Sequence, residues 1–213
     1  GGKTVFYASK GVKKITGIEI LGKYREEAEN LAKEYRLQDK FEFVQGDAAN
    51  MPFENEIFDT IIMNDAMEHV DKPEMVLREC YRILKKDGKL YLNFPPYNHP
   101  YGAHLSDAIG IPWVHVFFSE KTLIKCYKEL VKELPDGKER VDFRISKKED
   151  GPEYFSYINK MSIKRANNIL QNSNFELEYY SEEPLRNIFK YPARIPFFKE
   201  FLVKMVVCVL RKR

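Results

Sequence analysis

The sequence predicts an α/β domain of the doubly wound kind, built on a mostly parallel sheet. Three observations predict it. Short apolar runs alternate with helical periods through the first 134 residues, and the run FDTIIMND (58–65) has the continuous apolar centre of a strand covered on both faces. Helix start and stop residues fall between the runs, as at Ser119 before one helix and Lys85, Lys86 and Gly88 after another.

In chain order, KTVFYAS after Gly1 and Gly2 suits a helix, and KKITGIEI (13–20) reads as a strand with Ile15, Ile18 and Ile20 apolar. Residues 22–37 place Tyr24, Ala28, Leu31, Ala32 and Tyr35 at helical spacing. FEFVQGD (41–47) and FDTIIMND are the next strands. Asp71 and Pro73 open a helix carrying Val76, Leu77, Cys80, Tyr81 and Leu84, and KLYLNF (89–94) follows as a strand. Ser119 caps a helix with Leu123, Ile124, Tyr127, Leu130 and Val131 on one side. Residues 135–160 are polar and turn-rich, read as an inserted flap or hairpin. Ser162 begins a helix with Ile163, Ala166, Ile169 and Leu170, and Phe175 to Tyr180 is a strand. MVVCVLRK (205–212) admits a strand buried on both faces or the end of a membrane-surface helix; the strand is preferred because a polar helical face is missing.

Composition narrows the function. At 213 residues and 25.1 kDa the chain fits one domain, 1–213, with insertions at 97–118 and 135–160. Mass scaling gives ~36,000 Å² unfolded and ~10,000 Å² folded, enough burial for a full core. Thirty-five basic residues against 32 acidic ones, a net charge of +3, give no electrostatic case for nucleic acid. Cys80, Cys126 and Cys208 are odd in number and form no metal-ligand or disulfide spacing, which points to a reducing, cytoplasmic setting. No run of 18 apolar residues is present to span a bilayer.

Two features of the opening suggest a nucleotide. Glycines at a strand-to-helix turn let a ligand approach the backbone, and an acid about 20 residues later accepts hydrogen bonds from a ribose diol. Gly1, Gly2 and Glu19 match the second half of such a unit. A terminal Gly-Gly pair and a solvated Glu at a strand end are the plainer readings.

The stretches GGKTVFYASKGVKKITGIEI, VQGDAANMPFENEIFDTIIMNDAMEHV and PEMVLRECYRILKKDGKLYLNFP together resemble three consecutive motifs of class I S-adenosylmethionine-dependent methyltransferases, of the type 11 kind. The resemblance covers residues 1–96 and implies a Rossmann-like fold with strand order 3-2-1-4-5-7-6, an antiparallel last strand and S-adenosylmethionine as cofactor. By that resemblance Glu19 binds both ribose hydroxyls, Ile20 lies against the adenine, and Asp47 with the Ala48 N–H reads the adenine edge. Asn64 and Asp65 end a strand beside the methionine moiety, and Gly1 and Gly2 are what stands of the family's glycine turn. The turn-capping reading of Asp47 and the strand-end reading of Asn64 and Asp65 stay open.

One departure matters. The family's first strand and most of its DxGxGxG turn do not stand in this sequence, so an upstream segment is expected. That strand is central, and an empty place leaves unpaired N–H and C=O groups on both neighbours at about 1–3 kcal/mol each. Gly1 is expected near Glu19 and Asp47.

Methyl transfer from a sulfonium asks the protein for in-line alignment, exclusion of water and, for a hydroxyl or amine acceptor, removal of a proton. Histidine suits that last task near neutrality. His69 stands in EHV, and PPYNHPYGAHLSDAIGIPWVHVFF gathers His99, His104, His115, Tyr97, Tyr101, Trp113 and Asp107. Loops at the carboxyl ends of strands line the crevice in this fold class, so this segment is assigned to the acceptor side, with His104 the first catalytic candidate and His69 the next. Zinc or iron is the rival for the histidines, but their spacings match no helical ligand pair, and no metal is assigned. Packing without chemistry is a third reading.

The expected function is methyl transfer to a small or lipid-like acceptor. A non-catalytic methyltransferase-like scaffold and a nicotinamide-dependent oxidoreductase are the alternatives, the second weakened because Asp47 and EHV have no role in it. Membrane contact is not favoured, and the sequence says nothing of oligomeric state.

Overall fold

The computed structural model describes residues 2–213, so the expected position of Gly1 beside Glu19 and Asp47 lies outside the described residues. The elements are α1 (Gly2–Ala8), β1 (Ile15–Glu19), α2 (Arg25–Glu34), β2 (Phe41–Gln45), β3 (Phe58–Asn64), α3 (Pro73–Ile83) and β4 (Leu84–Phe94). They continue with α4 (Val114–Phe117), α5 (Glu120–Val131), α6 (Gly137–Arg144), β5 (Ile145–Lys147), β6 (Glu153–Phe155), α7 (Ile163–Gln171), β7 (Glu176–Pro184), α8 (Pro196–Leu202) and β8 (Val203–Arg211).

β1 and β2 pair in parallel, from Ile15 opposite Phe41 to Glu19 opposite Gln45. β3 and β4 form a second parallel pair, and β8 lies antiparallel between β4 and β7. The resulting orders, β1-β2 and β3-β4-β8-β7, agree with the two flanks of the expected arrangement. The terminal segment is a strand, as expected: Val206, Cys208 and Leu210 are fully buried and alternate with half-buried Val207 and Val209.

β3 departs from the expectation of cover on both faces: Ile62 is 41% exposed, while Met63 beside it is buried. The total exposed surface is 13264 Å², well above the ~10,000 Å² from mass scaling. Part of the excess is a C-terminal stretch in which Ile188, Tyr191, Ile195, Phe197 and Phe198 all face outward.

Helix α1 ties the two sheets together. Its Val5 is buried with Ala28, Ala32, Phe41 and Phe43, while its Lys3 and Tyr7 reach the end of β3. The main core lies on the other side, where α3 and α7 cover the four-stranded sheet with Leu77, Cys80, Ile83, Leu90, Leu92, Ile169 and Leu210. α3 passes directly into β4 instead of closing in a turn at Lys85 to Gly88; Asp87 takes φ 62° and the pairing with β3 bulges between Phe58 and Thr60. Gly88 is needed at that bulge, since a Cβ there would stand 2.8 Å from the Lys85 carbonyl oxygen.

Both predicted serine caps form: Ser119 accepts from the Thr122 N–H at 3.2 Å and Ser162 from the Arg165 N–H at 3.1 Å. Leu130 departs from expectation and faces solvent, because α5 buries the stripe of Leu123, Ile124, Tyr127 and Val131 and Leu130 falls beside it. Residues 135–160 are more regular than a flap, comprising α6 and the β5–β6 hairpin. They build a second core with α5 and the 97–118 loop, from Ala103, Leu105, Tyr127, Phe155, Tyr157 and Ile158.

Candidate active site

The carboxyl ends of β1, β2 and β3 carry the residues expected to meet a nucleotide. Glu19 ends β1; its Oε1 accepts the Leu21 N–H at 3.0 Å, and its Oε2 takes no hydrogen bond among the described residues. Ile20 follows it, 62% exposed, an apolar side chain held in solvent at the strand end. The Gly46 N–H donates to the Glu19 carbonyl at 3.0 Å, which fixes the β2 exit beside the β1 exit. Asp47 comes next, and its Oδ1 accepts from the Ala49 N–H at 2.8 Å. That bond is the turn-capping role, and it occupies one carboxylate oxygen only.

The end of β3 is pinned from two directions. Asn64 donates to the Tyr7 hydroxyl at 2.5 Å, and Lys3 Nζ lies 2.6 Å from Asp65 Oδ2. Asp65 itself takes φ 49°, and its N–H donates to Asn93 Oδ1 at 2.9 Å from the end of β4. A non-glycine residue in this conformation after a strand turns the chain sharply and leaves its side chain at the sheet edge. Gly2, at the start of α1, sits with open space around its Cβ direction apart from Leu31 at 4.0 Å.

Beyond Asp65 the turn brings three groups together that are distant in sequence. Glu68 is 1% exposed, and neither carboxylate oxygen has a hydrogen-bond partner. Burial pushes its carboxyl up to about 7. His69 Nε2 lies 3.8 Å from Glu68 Oε1, and the His69 and His104 rings meet edge to face with centroids 5.0 Å apart. Burial holds His104 down, to about 4, so its imidazole is neutral at physiological pH. His104 also takes φ 51°, an uncommon conformation for a side chain of its size.

The 157–159 segment clasps this turn. His69 donates from Nδ1 to the Tyr157 carbonyl at 2.7 Å, since a carbonyl can only accept, and Nε2 is the ring nitrogen left toward Glu68. The Tyr157 hydroxyl donates to the Ala103 carbonyl, next to His104. Asn159 donates from Nδ2 to the carbonyls of Met67 and Val70 at 2.8 and 2.7 Å, and its N–H donates to the Glu68 carbonyl at 2.8 Å.

Of the loop histidines, only His104 joins this group. His115 packs against Tyr97, with ring centroids 4.8 Å apart, and its ring nitrogens are buried without partners. His99 accepts the Tyr101 N–H at 3.0 Å and serves its own turn. Asp107 is held by the Tyr127 hydroxyl, Arg140 and Arg144 at 3.0, 3.0 and 3.2 Å, a structural ion cluster. Glu68, Tyr157 and Asn159 were not singled out from the sequence. EHV contains Glu68, but nothing in its pattern says that the carboxylate is buried, and Tyr157 and Asn159 lie in the turn-rich insertion.

Parallel pairs β1-β2 and β3-β4, an antiparallel β8 beside β4, and acids at the ends of β1 and β2 are the features of the class I methyltransferase fold. Residues 1–92 match the family model described as a methyltransferase domain. It is 30% identical over 141 residues to a sterol 24-C-methyltransferase of Saccharomyces cerevisiae, covering 58% of this chain and 36% of that protein. It is 40% identical over 78 residues to a demethylmenaquinone methyltransferase of Thermotoga maritima, covering 37% of this chain and 31% of that protein. The chain thus spans about a third of the length of these curated relatives. Among solved structures, the PH0226 protein of Pyrococcus horikoshii matches at TM-score 0.59 and 20% identity, over 100% of this chain and 77% of that one. The geranyl diphosphate C-methyltransferase of Streptomyces coelicolor, solved with Mg2+, geranyl diphosphate and S-adenosyl-L-homocysteine, matches at TM-score 0.61 and 11% identity, over 100% of this chain and 68% of that one. These last two likenesses concern the fold.

Proposed function

We propose that the chain transfers a methyl group from S-adenosylmethionine to a small or lipid-like acceptor. The observation that carries this reading is the convergence of Glu19, Ile20, Asp47 and Ala48 at the neighbouring ends of β1 and β2. The residues fit the cofactor's chemistry. The free oxygen of Glu19 suits a ribose hydroxyl, exposed Ile20 gives an apolar contact for an aromatic ring, and the remaining oxygen of Asp47 suits an exocyclic amine. Asn64 and Asp65 are assigned to the methionine side together with Gly1 and Gly2.

When bound, S-adenosylmethionine supplies a methyl group already activated on sulfur. The chain then has to orient the acceptor, keep water out and take a proton where the acceptor carries one. The 97–118 and 135–160 insertions form the acceptor side in this reading, with Tyr97 and Trp113 as apolar walls. Glu68, His69 and His104 are the groups there that can hold a proton or orient a hydroxyl. Support for a lipid-like acceptor comes from the sterol and menaquinone activities in the names of the relatives.

The three cysteines are free, with Cys80 and Cys208 buried, and we assign a cytoplasmic setting on that basis. Among the described residues, no helix is long and apolar enough to cross a membrane. A non-catalytic methyltransferase-like scaffold is the second reading. An acceptor screen with cofactor labelled in its methyl group tests the proposal: transfer to a sterol, quinone or phenol supports it, and cofactor binding without transfer to any acceptor class supports the scaffold.

A further inference from the structure

We propose that Glu68, His69 and His104 form a binding site for one divalent transition-metal cation of the zinc class. One ligand-capable atom from each residue lies within 4.8 Å of the other two. Donors on an ion with bonds of 2.0–2.1 Å stand about 3.4 Å apart, so modest side-chain rotation closes the set. Two imidazoles and one carboxylate are a donor set that zinc takes in catalytic sites, with one position left open.

Three further observations point to a cation and not to a mere cluster of polar groups. Glu68 is 1% exposed with both carboxylate oxygens unpartnered, an arrangement that costs stability unless a proton or a cation balances it. His69 is oriented as ligating histidines are, with Nδ1–H given to a backbone carbonyl at 2.7 Å and Nε2 turned toward Glu68. No hydrogen bond engages the His104 ring among the described residues, and His104 sits in a strained backbone conformation that the Tyr157 hydroxyl secures through Ala103.

The neighbouring charges are of both signs. Asp65 is the next acid toward the group and is itself partnered by Lys3, while Arg144 stands toward the Tyr157 ring at 5.3 Å. His69 keeps 36% of its side chain exposed, so the group opens to solvent on one side. An ion there retains room for water or for an oxygen of an acceptor. That role rests on the function proposed above; the binding itself does not.

Calorimetric titration of the full chain with Zn2+, without cofactor, tests the site, and Co2+ absorption in the visible gives a signature of imidazole and carboxylate ligation. One Zn2+ per chain is expected, with at least tenfold weaker binding in Glu68→Gln and in His104→Ala. Circular dichroism and melting curves establish that each variant is folded; if Glu68→Gln is not, His104→Ala carries the test, because its loop side chain leaves the main core untouched. Absence of stoichiometric binding, or binding that both folded variants retain, overturns the site. Because no cofactor is present, a failure to bind S-adenosylhomocysteine would count against the functional reading and leave this result standing.

Discussion

The Tyr157 carbonyl accepts the Nδ1–H of His69 at 2.7 Å, while the hydroxyl of the same residue donates to the Ala103 carbonyl beside His104. One side chain and its backbone thus hold two histidines that stand 35 positions apart in the sequence. Tyr157→Phe keeps the backbone bond to His69 and strands the buried Ala103 carbonyl. Urea unfolding should show a loss of about 1–3 kcal/mol. Titration of the His104 ring by NMR should show its pKa rising from about 4 as its loop loosens. An unchanged unfolding midpoint together with an unmoved His104 would remove Tyr157 from this role.

His104 is assigned to the acceptor side and not to the nucleotide. His104→Ala should lower kcat by about 10²–10⁴-fold while leaving S-adenosylhomocysteine affinity nearly intact, since a group that acts on the acceptor is felt in the transition state. Parallel steady-state kinetics and cofactor titration check this. Loss of cofactor affinity with unchanged kcat would reverse the assignment.

Much of this arrangement was legible in advance, and the exceptions have physical causes. The strands, Ser119 and Ser162 follow from local periodicity and capping, which short windows of sequence record. The pairing of β8 between β4 and β7 came from resemblance and not from periodicity, because alternation does not encode strand order. Glu68 escaped notice because burial is a tertiary property: the same Glu before His69 would be unremarkable on an open turn. The grouping of His69 with His104 was missed for a related reason. Spacing within the 97–118 loop shows no ligand pair, whereas the structure draws one member from the turn after β3 and another from the loop.

The start of β7, where it meets the end of β8, carries a pH dependence. Hydrogen bonds from Arg213 and Arg211 hold the Glu176 carboxyl down, from its ordinary 4.5 to about 2. A carboxyl whose folded value is depressed binds fewer protons in the native state, so its stabilisation is present above about 4.5 and is lost as the pH falls toward about 2. Glu176→Gln should therefore flatten the acid limb of a melting-temperature profile below pH 4.5 and lower stability near neutrality. Added salt should shrink the difference between the two proteins, because the pair is exposed. A wild-type acid limb that the substitution leaves unaltered would contradict the linkage.

The central claim is that the strand ends around Glu19 and Asp47 bind S-adenosylmethionine, and calorimetry of the full chain with S-adenosylhomocysteine and with NAD tests it most directly. The account predicts one S-adenosylhomocysteine per chain, no measurable NAD binding, and a loss of about 1.5–3 kcal/mol in Glu19→Ala, the range for hydrogen bonds to a charged group. Binding of NAD, binding of neither nucleotide, or full S-adenosylhomocysteine affinity in Glu19→Ala would contradict it.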